Sequence, residues 1–127
     1  MSERTTVFVA NEPALPVSLS AAAIGAPTVF TAGQVGLDPA TGRLVEGFEA
    51  QVEQAIDNLE SVLLRSGSGL DRVLKTTCYL ADLSRFAVFE AVYARRFPQP
   101  YPARTTLGAV LVSGILFEVE AIATIDG

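Results

Sequence analysis

The stretch Phe117-Glu118-Val119-Glu120-Ala121-Ile122-Ala123 constrains this chain more than any other. Read as part of a strand over 115–125, its alternation puts Phe117, Val119 and Ala121 on one face and Glu118 and Glu120 on the other. The first face packs into a core. The second carries two carboxylates in an otherwise apolar segment, and an unpaired buried charge is costly, so they call for an arginine or ordered water. Arg104, two residues after the turn-forming Pro102, is the candidate cation. A guanidinium and a carboxylate sharing a pocket can hold a small anionic substrate and position a water. On the residues alone a plainer alternative stays open. Arg104 then bridges to Glu120 or a neighbouring subunit as an ordinary ion pair, and Glu118 faces solvent at a strand edge.

Composition narrows the chemistry. A length of 127 residues suits one domain, spanning 1–127. Half the residues are apolar and 18% are charged, against roughly 25% charged in ordinary domains. Such a chain fills a core and keeps apolar surface for self-association. The net charge of -5 argues against a nucleic-acid partner, which basic patches would attract. No apolar run approaches the roughly 20 residues that span a bilayer. The N-terminal MSERTTVF has no long apolar stretch of a secretory signal. The chain therefore reads as cytoplasmic, with no membrane partner.

There is no histidine, which excludes a Ser-His-Asp triad, a Cys-His pair and histidine metal sites. The single cysteine, Cys78, lies in an apolar strand pattern and reads as a buried, inert thiol. Walker-type and dinucleotide-binding loops are absent. Aspartate, glutamate, lysine, tyrosine and water remain for acid–base work.

Periodicity predicts strands over 5–10, 18–24 and 28–32, with a turn at Gly25-Ala26-Pro27 and a loop over 36–42. Phe48, Val52, Ala55, Ile56, Leu59, Val62 and Leu63 recur at helical spacing and predict a helix over 47–66, ended by Ser66-Gly67-Ser68-Gly69. A strand over 71–80 follows. A second helix over 84–97 has Asp82 or Ser84 as its cap and buries Phe86, Phe89, Val92 or Tyr93, and Phe97. Pro98, Pro100 and Pro102 end it. Strands over 104–112 and 115–125 close the chain around Val112-Ser113-Gly114. The order β-β-β-α-β-α-β-β predicts an α+β fold, two helices packed on one face of a mixed sheet. The open face needs a cover, and self-association is the simplest.

These landmarks, in order, resemble the reactive intermediate deaminase family, also called RidA or YjgF. They are Thr31-Ala32-Gly33-Gln34-Val35-Gly36, Asp38-Pro39-Ala40-Thr41-Gly42, Gln51, Asn58, Val73-Leu74-Lys75-Thr76-Thr77, Tyr79-Leu80-Ala81-Asp82, Phe86, Tyr93, Phe97, Pro102-Ala103-Arg104 and Glu118-Val119-Glu120-Ala121-Ile122-Ala123. The resemblance covers nearly the whole chain. It implies a chorismate-mutase-like fold, a homotrimer with ligand sites between subunits, and hydrolysis of enamines and imines to 2-keto acids and ammonia without metal or cofactor.

By the same resemblance Arg104 grips the substrate carboxylate and Glu118 orients or activates water. Gly33 and Thr106 line the pocket through their backbones, and Val17, Phe89 and Glu90 complete the substrate side. The chain departs from the family pattern at three of these places. Val17 stands where a tyrosine is usual, Thr106 where a cysteine often stands, and Glu90 where asparagine is usual. These changes predict a more apolar pocket that prefers larger apolar side chains and, through Glu90, disfavours acidic ones. Two other classes stay open: a specialised pathway enzyme acting on another small carboxylate, and a protein that binds such a carboxylate without turnover. A ribonuclease or translation inhibitor, also described in this family, fits the acidic chain least.

Overall fold

The structure is a computed structural model and describes residues 5–7, 21–25 and 27–125. Strands β1 (Thr5–Val7), β2 (Ala22–Gly25) and β3 (Thr28–Thr31) form an antiparallel meander. Three two-residue strands follow: β4 (Gln34–Val35), β5 (Leu37–Asp38) and β6 (Arg43–Leu44). Helix α1 (Phe48–Arg65), β7 (Val73–Leu80), α2 (Phe86–Arg96), β8 (Ala103–Gly108) and β9 (Phe117–Thr124) complete the chain. The main sheet runs β1-β2-β3-β9-β7-β8, with β4 also paired to β9. Among the described residues only β7 and β8 are parallel, joined through α2, so the sheet is mixed as predicted.

Helix α1 forms where its apolar residues share one stripe. Phe48, Val52, Ala55, Ile56, Leu59, Val62 and Leu63 are all buried. Its end is set by Gly67, whose φ of 84° is a left-handed conformation that glycine adopts without strain. The Ser68 amide then donates to the Leu63 carbonyl at 2.8 Å. The second predicted helix divides in two. Residues Leu83–Arg85 make a 3-10 turn capped by Asp82, whose carboxylate accepts from the Ser84 amide at 2.9 Å, and α2 proper begins at Phe86. Arg96 binds Glu53 and Asp57, each at 2.6 Å, and fastens α2 to α1.

Both helices cover one face of the sheet. Val29, Thr76, Cys78, Leu80, Phe117, Val119, Ala121 and Ala123 point into that layer and are buried. Alternation leaves Phe30, Lys75, Thr77, Tyr79, Glu118, Glu120 and Ile122 on the other face. That face is mixed in character, and Phe30 on it is 49% exposed.

Several boundaries differ from the pattern-based expectation. The strand over 71–80 starts at Val73, because Leu70–Arg72 form a 3-10 turn. The strand over 104–112 stops at Gly108, where Leu83 packs so closely that a Cβ would sit 3.0 Å from its Cγ. The two last strands are not a hairpin: β7 lies between β8 and β9 and pairs with both. The loop over 36–42 holds β5 and the turn to β6. The predicted strand over 18–24 lies partly outside the described residues.

Candidate active site

Register decides which side chains can meet. Thr76 pairs with Arg104 on one side and with Ala121 on the other, and Cys78 pairs with Thr106 and Val119. Laterally paired residues share a face, so Arg104 and Thr106 lie on the helix side. Tyr79 pairs with Glu118 and Thr77 with Glu120, on the open side. Within one chain Arg104 and Glu118 therefore face opposite ways. Within the chain the partner of Arg104 is neither Glu118 nor Glu120 but Glu90, Nη1 to Oε1 at 2.7 Å.

The first half-site is built by α2 over β8. The Arg104 guanidinium carbon lies 4.6 Å from the Tyr93 ring centroid, 5.0 Å from Phe89 and 5.8 Å from Phe86. A cation over three aromatic faces is electrostatically attracted to their π-electrons. Beneath it the Tyr93 hydroxyl and the Thr76 hydroxyl share a 2.8 Å hydrogen bond, which anchors the aromatic floor. Burial pushes Tyr93 up to about 12, so it stays neutral. The Arg104 side chain keeps 22% of its exposure and Glu90 keeps 45%, so the pair is open to ligand. Two residues along the same face, the Thr106 hydroxyl oxygen is the one buried side-chain polar atom without a hydrogen-bond partner among the described residues.

The second half-site is made by β9 and the chain entering β4. Val35 pairs with Glu118 and Gln34 with Val119. Gly33 gives room: a Cβ there would lie 2.8 Å from the Glu118 carboxyl carbon and 3.1 Å from its Cγ. Steric room at Glu118, with φ outside the left-handed region, is what this position requires. Burial, and then the neighbouring Glu120, raise the Glu118 carboxyl above its ordinary value. Glu120 is engaged by Tyr79, whose hydroxyl donates to it at 2.7 Å. That hydrogen bond, more than burial, lifts Tyr79 to about 12.

The expected site residues thus fall into two groups, Arg104, Thr106, Phe89 and Glu90 in one and Gly33 and Glu118 in the other. Val17 lies outside the described residues. Cys78 is fully buried, and burial pushes its thiol up to about 12. Three further residues contribute: Phe86 and Tyr93, which the helical pattern places among the packing residues, lie under the guanidinium, and Tyr79 holds Glu120. The signal for the first two is their spacing with Glu90, at i, i+4 and i+7 on α2, which puts them on the face that covers Arg104.

The family described as Endoribonuclease L-PSP matches residues 9–125. Reactive Intermediate Deaminase A of Arabidopsis thaliana is 43% identical over 99 residues, 76% of this chain and 53% of that protein. The 2-iminobutanoate/2-iminopropanoate deaminase of Homo sapiens is 34% identical over 122 residues, 94% of this chain and 89% of that one. A crystal structure of RidA from an Antarctic Psychrobacter species superimposes with a TM-score of 0.90 at 37% identity, covering 95% of this chain and 99% of that one.

Proposed function

This chain belongs to the RidA/YjgF (Endoribonuclease L-PSP) family, and from that premise we propose that it hydrolyses reactive 2-imino acids to 2-keto acids and ammonia. The observation that carries the reading is Arg104 on its aromatic bed, part-exposed and with its Nη1 on Glu90. Guanidinium N–H groups not taken by Glu90 donate to a substrate carboxylate.

Because Glu118 faces the other way, the reading requires a second copy of the chain. The Arg104 half-site of one subunit meets the Gly33–Glu118 half-site of its neighbour in a closed cyclic assembly, a homotrimer by the family resemblance. The half-exposed Phe30 on the open face supports such a contact.

In the reaction, water oxygen bonds to the imine carbon while Glu118 takes a proton from the water. The proton passes to the nitrogen of the resulting carbinolamine. The carbinolamine hydroxyl then gives its proton, by way of Glu118, to the same nitrogen; the C–N bond breaks, ammonia leaves and the C=O forms. A carboxyl whose pKa is raised by burial is suited to accept and return that proton. Binding the carboxylate and placing the water lower the barrier chiefly by orientation.

The test generates imino acids in situ with an amino-acid oxidase and follows the release of ammonia. Wild type should accelerate it. Arg104→Ala should lower kcat/KM by about tenfold or more, since a charge-assisted contact is worth roughly 1.5–3 kcal/mol. Light scattering should give the same assembly for both. Equal rates for wild type and Arg104→Ala across a panel of imines would sink the assignment.

A further inference from the structure

We propose that Glu90 is a specificity-determining residue of the Arg104 half-site, an internal carboxylate that occupies one arm of the guanidinium so that the site takes monocarboxylates and turns away dicarboxylates. The inference rests on the reading of Arg104 as the carboxylate clamp. Glu90 lies on α2 among Phe86, Phe89 and Tyr93, the residues that floor the guanidinium, and its Oε1 is 2.7 Å from Arg104 Nη1. A guanidinium has five N–H donors in a planar fork, so one carboxylate at Nη1 leaves donors for a second.

The electrostatics are then those of a neutral pair. Arg104 and Glu90 cancel, and no second cation is paired with either of them among the described residues. The first incoming carboxylate completes the guanidinium fork. A second carboxylate on the same ligand brings another negative charge beside Glu90 with no cation left to meet it. Like charges a few ångströms apart near a protein surface repel strongly enough to set selectivity. Glu90 also costs affinity for the first carboxylate, because it competes for the same guanidinium.

The test uses the intact assembly and isothermal titration calorimetry, with pyruvate as the monocarboxylate probe and 2-oxoglutarate as the dicarboxylate. Glu90→Gln keeps the shape and a hydrogen-bonding oxygen but removes the charge. It should tighten pyruvate by about threefold to tenfold and 2-oxoglutarate by about tenfold more than that, as expected for removing one and two like-charge encounters. Far-ultraviolet circular dichroism and light scattering confirm that the variant is folded and assembled. Unchanged or weaker binding of pyruvate, or an unchanged preference between the two acids, would overturn the proposal. Arg104→Ala separates the two readings. If pyruvate binding survives that change, the clamp itself fails. If binding needs Arg104 and ignores Glu90→Gln, only the filter fails.

Discussion

Gln51 is the polar residue on the buried face of α1, and Gln51→Leu measures what it holds. The side chain is 3% exposed. Its Nε2 donates to the Val45 carbonyl at 3.2 Å and the Gly114 carbonyl at 3.0 Å, and its Oε1 accepts from the Leu116 amide at 2.9 Å. One amide thus ties the chain entering α1 and both ends of the turn before β9 to the helix. Leucine fills a similar volume and offers no polar atom. Three hydrogen bonds at about 1 kcal/mol net each suggest a loss of about 3 kcal/mol. Leaving two carbonyls and an amide unpaired adds to this, while burial of the new apolar surface offsets about 1 kcal/mol. The expected loss is therefore about 2–4 kcal/mol. Urea titration at one fixed protein concentration reads it as a lower midpoint at unchanged slope, the fixed concentration guarding against mass action between subunits. A loss below about 1 kcal/mol would refute the accounting and show that water replaces the amide without penalty.

Glu118→Gln tests the electrostatics of the open face. The raised carboxyl means that the folded chain holds its proton more tightly than the unfolded one, so stability falls as pH rises through the window just above the ordinary glutamate value, and the full penalty is present at neutral pH. The variant should gain stability over wild type at pH 7 and lose most of that advantage at pH 4, read from urea midpoints; an equal difference at both pH values would contradict the burial argument. Cys78, fully buried and lifted to about 12, should resist iodoacetamide at pH 8 in the native protein and react once urea unfolds it, and full labelling of the native state would show that the strand opens.

The elements legible in the sequence are those whose pattern repeats often enough. Five turns of α1 give seven apolar positions in register, and β9 alternates over its whole length, so both emerge with nearly correct limits. Two-residue strands such as β4, β5 and β6 are too short to show alternation, and Asn58 on α1 fastens the first two of them to the helix. Its Nδ2 donates to the carbonyls of Val35 at 2.9 Å and Leu37 at 2.8 Å. The site residues were legible as types, an arginine after proline and a glutamate in an apolar strand. Their separation onto two faces was not, because it depends on β7 lying between β8 and β9, and strand order is a long-range property that neither strand's own pattern carries. The Glu90–Arg104 pair was hidden for a related reason: only the parallel crossover brings the middle of α2 over the start of β8.

That crossover gives the two half-sites different inheritances. Everything around Arg104 comes from one uninterrupted stretch, β7 through α2 to β8, which is a self-contained βαβ unit. Gly33 and Glu118 come from distant parts of the chain and meet only because β4 docks on β9. A short segment exchanged between related genes would therefore carry a whole arginine neighbourhood with it, acidic residue and aromatic floor together. The carboxylate half cannot be transplanted in one piece. In a fold of this kind the arginine neighbourhood can be swapped as a cassette, while the glutamate on the opposite face of the sheet depends on segments from both ends of the chain.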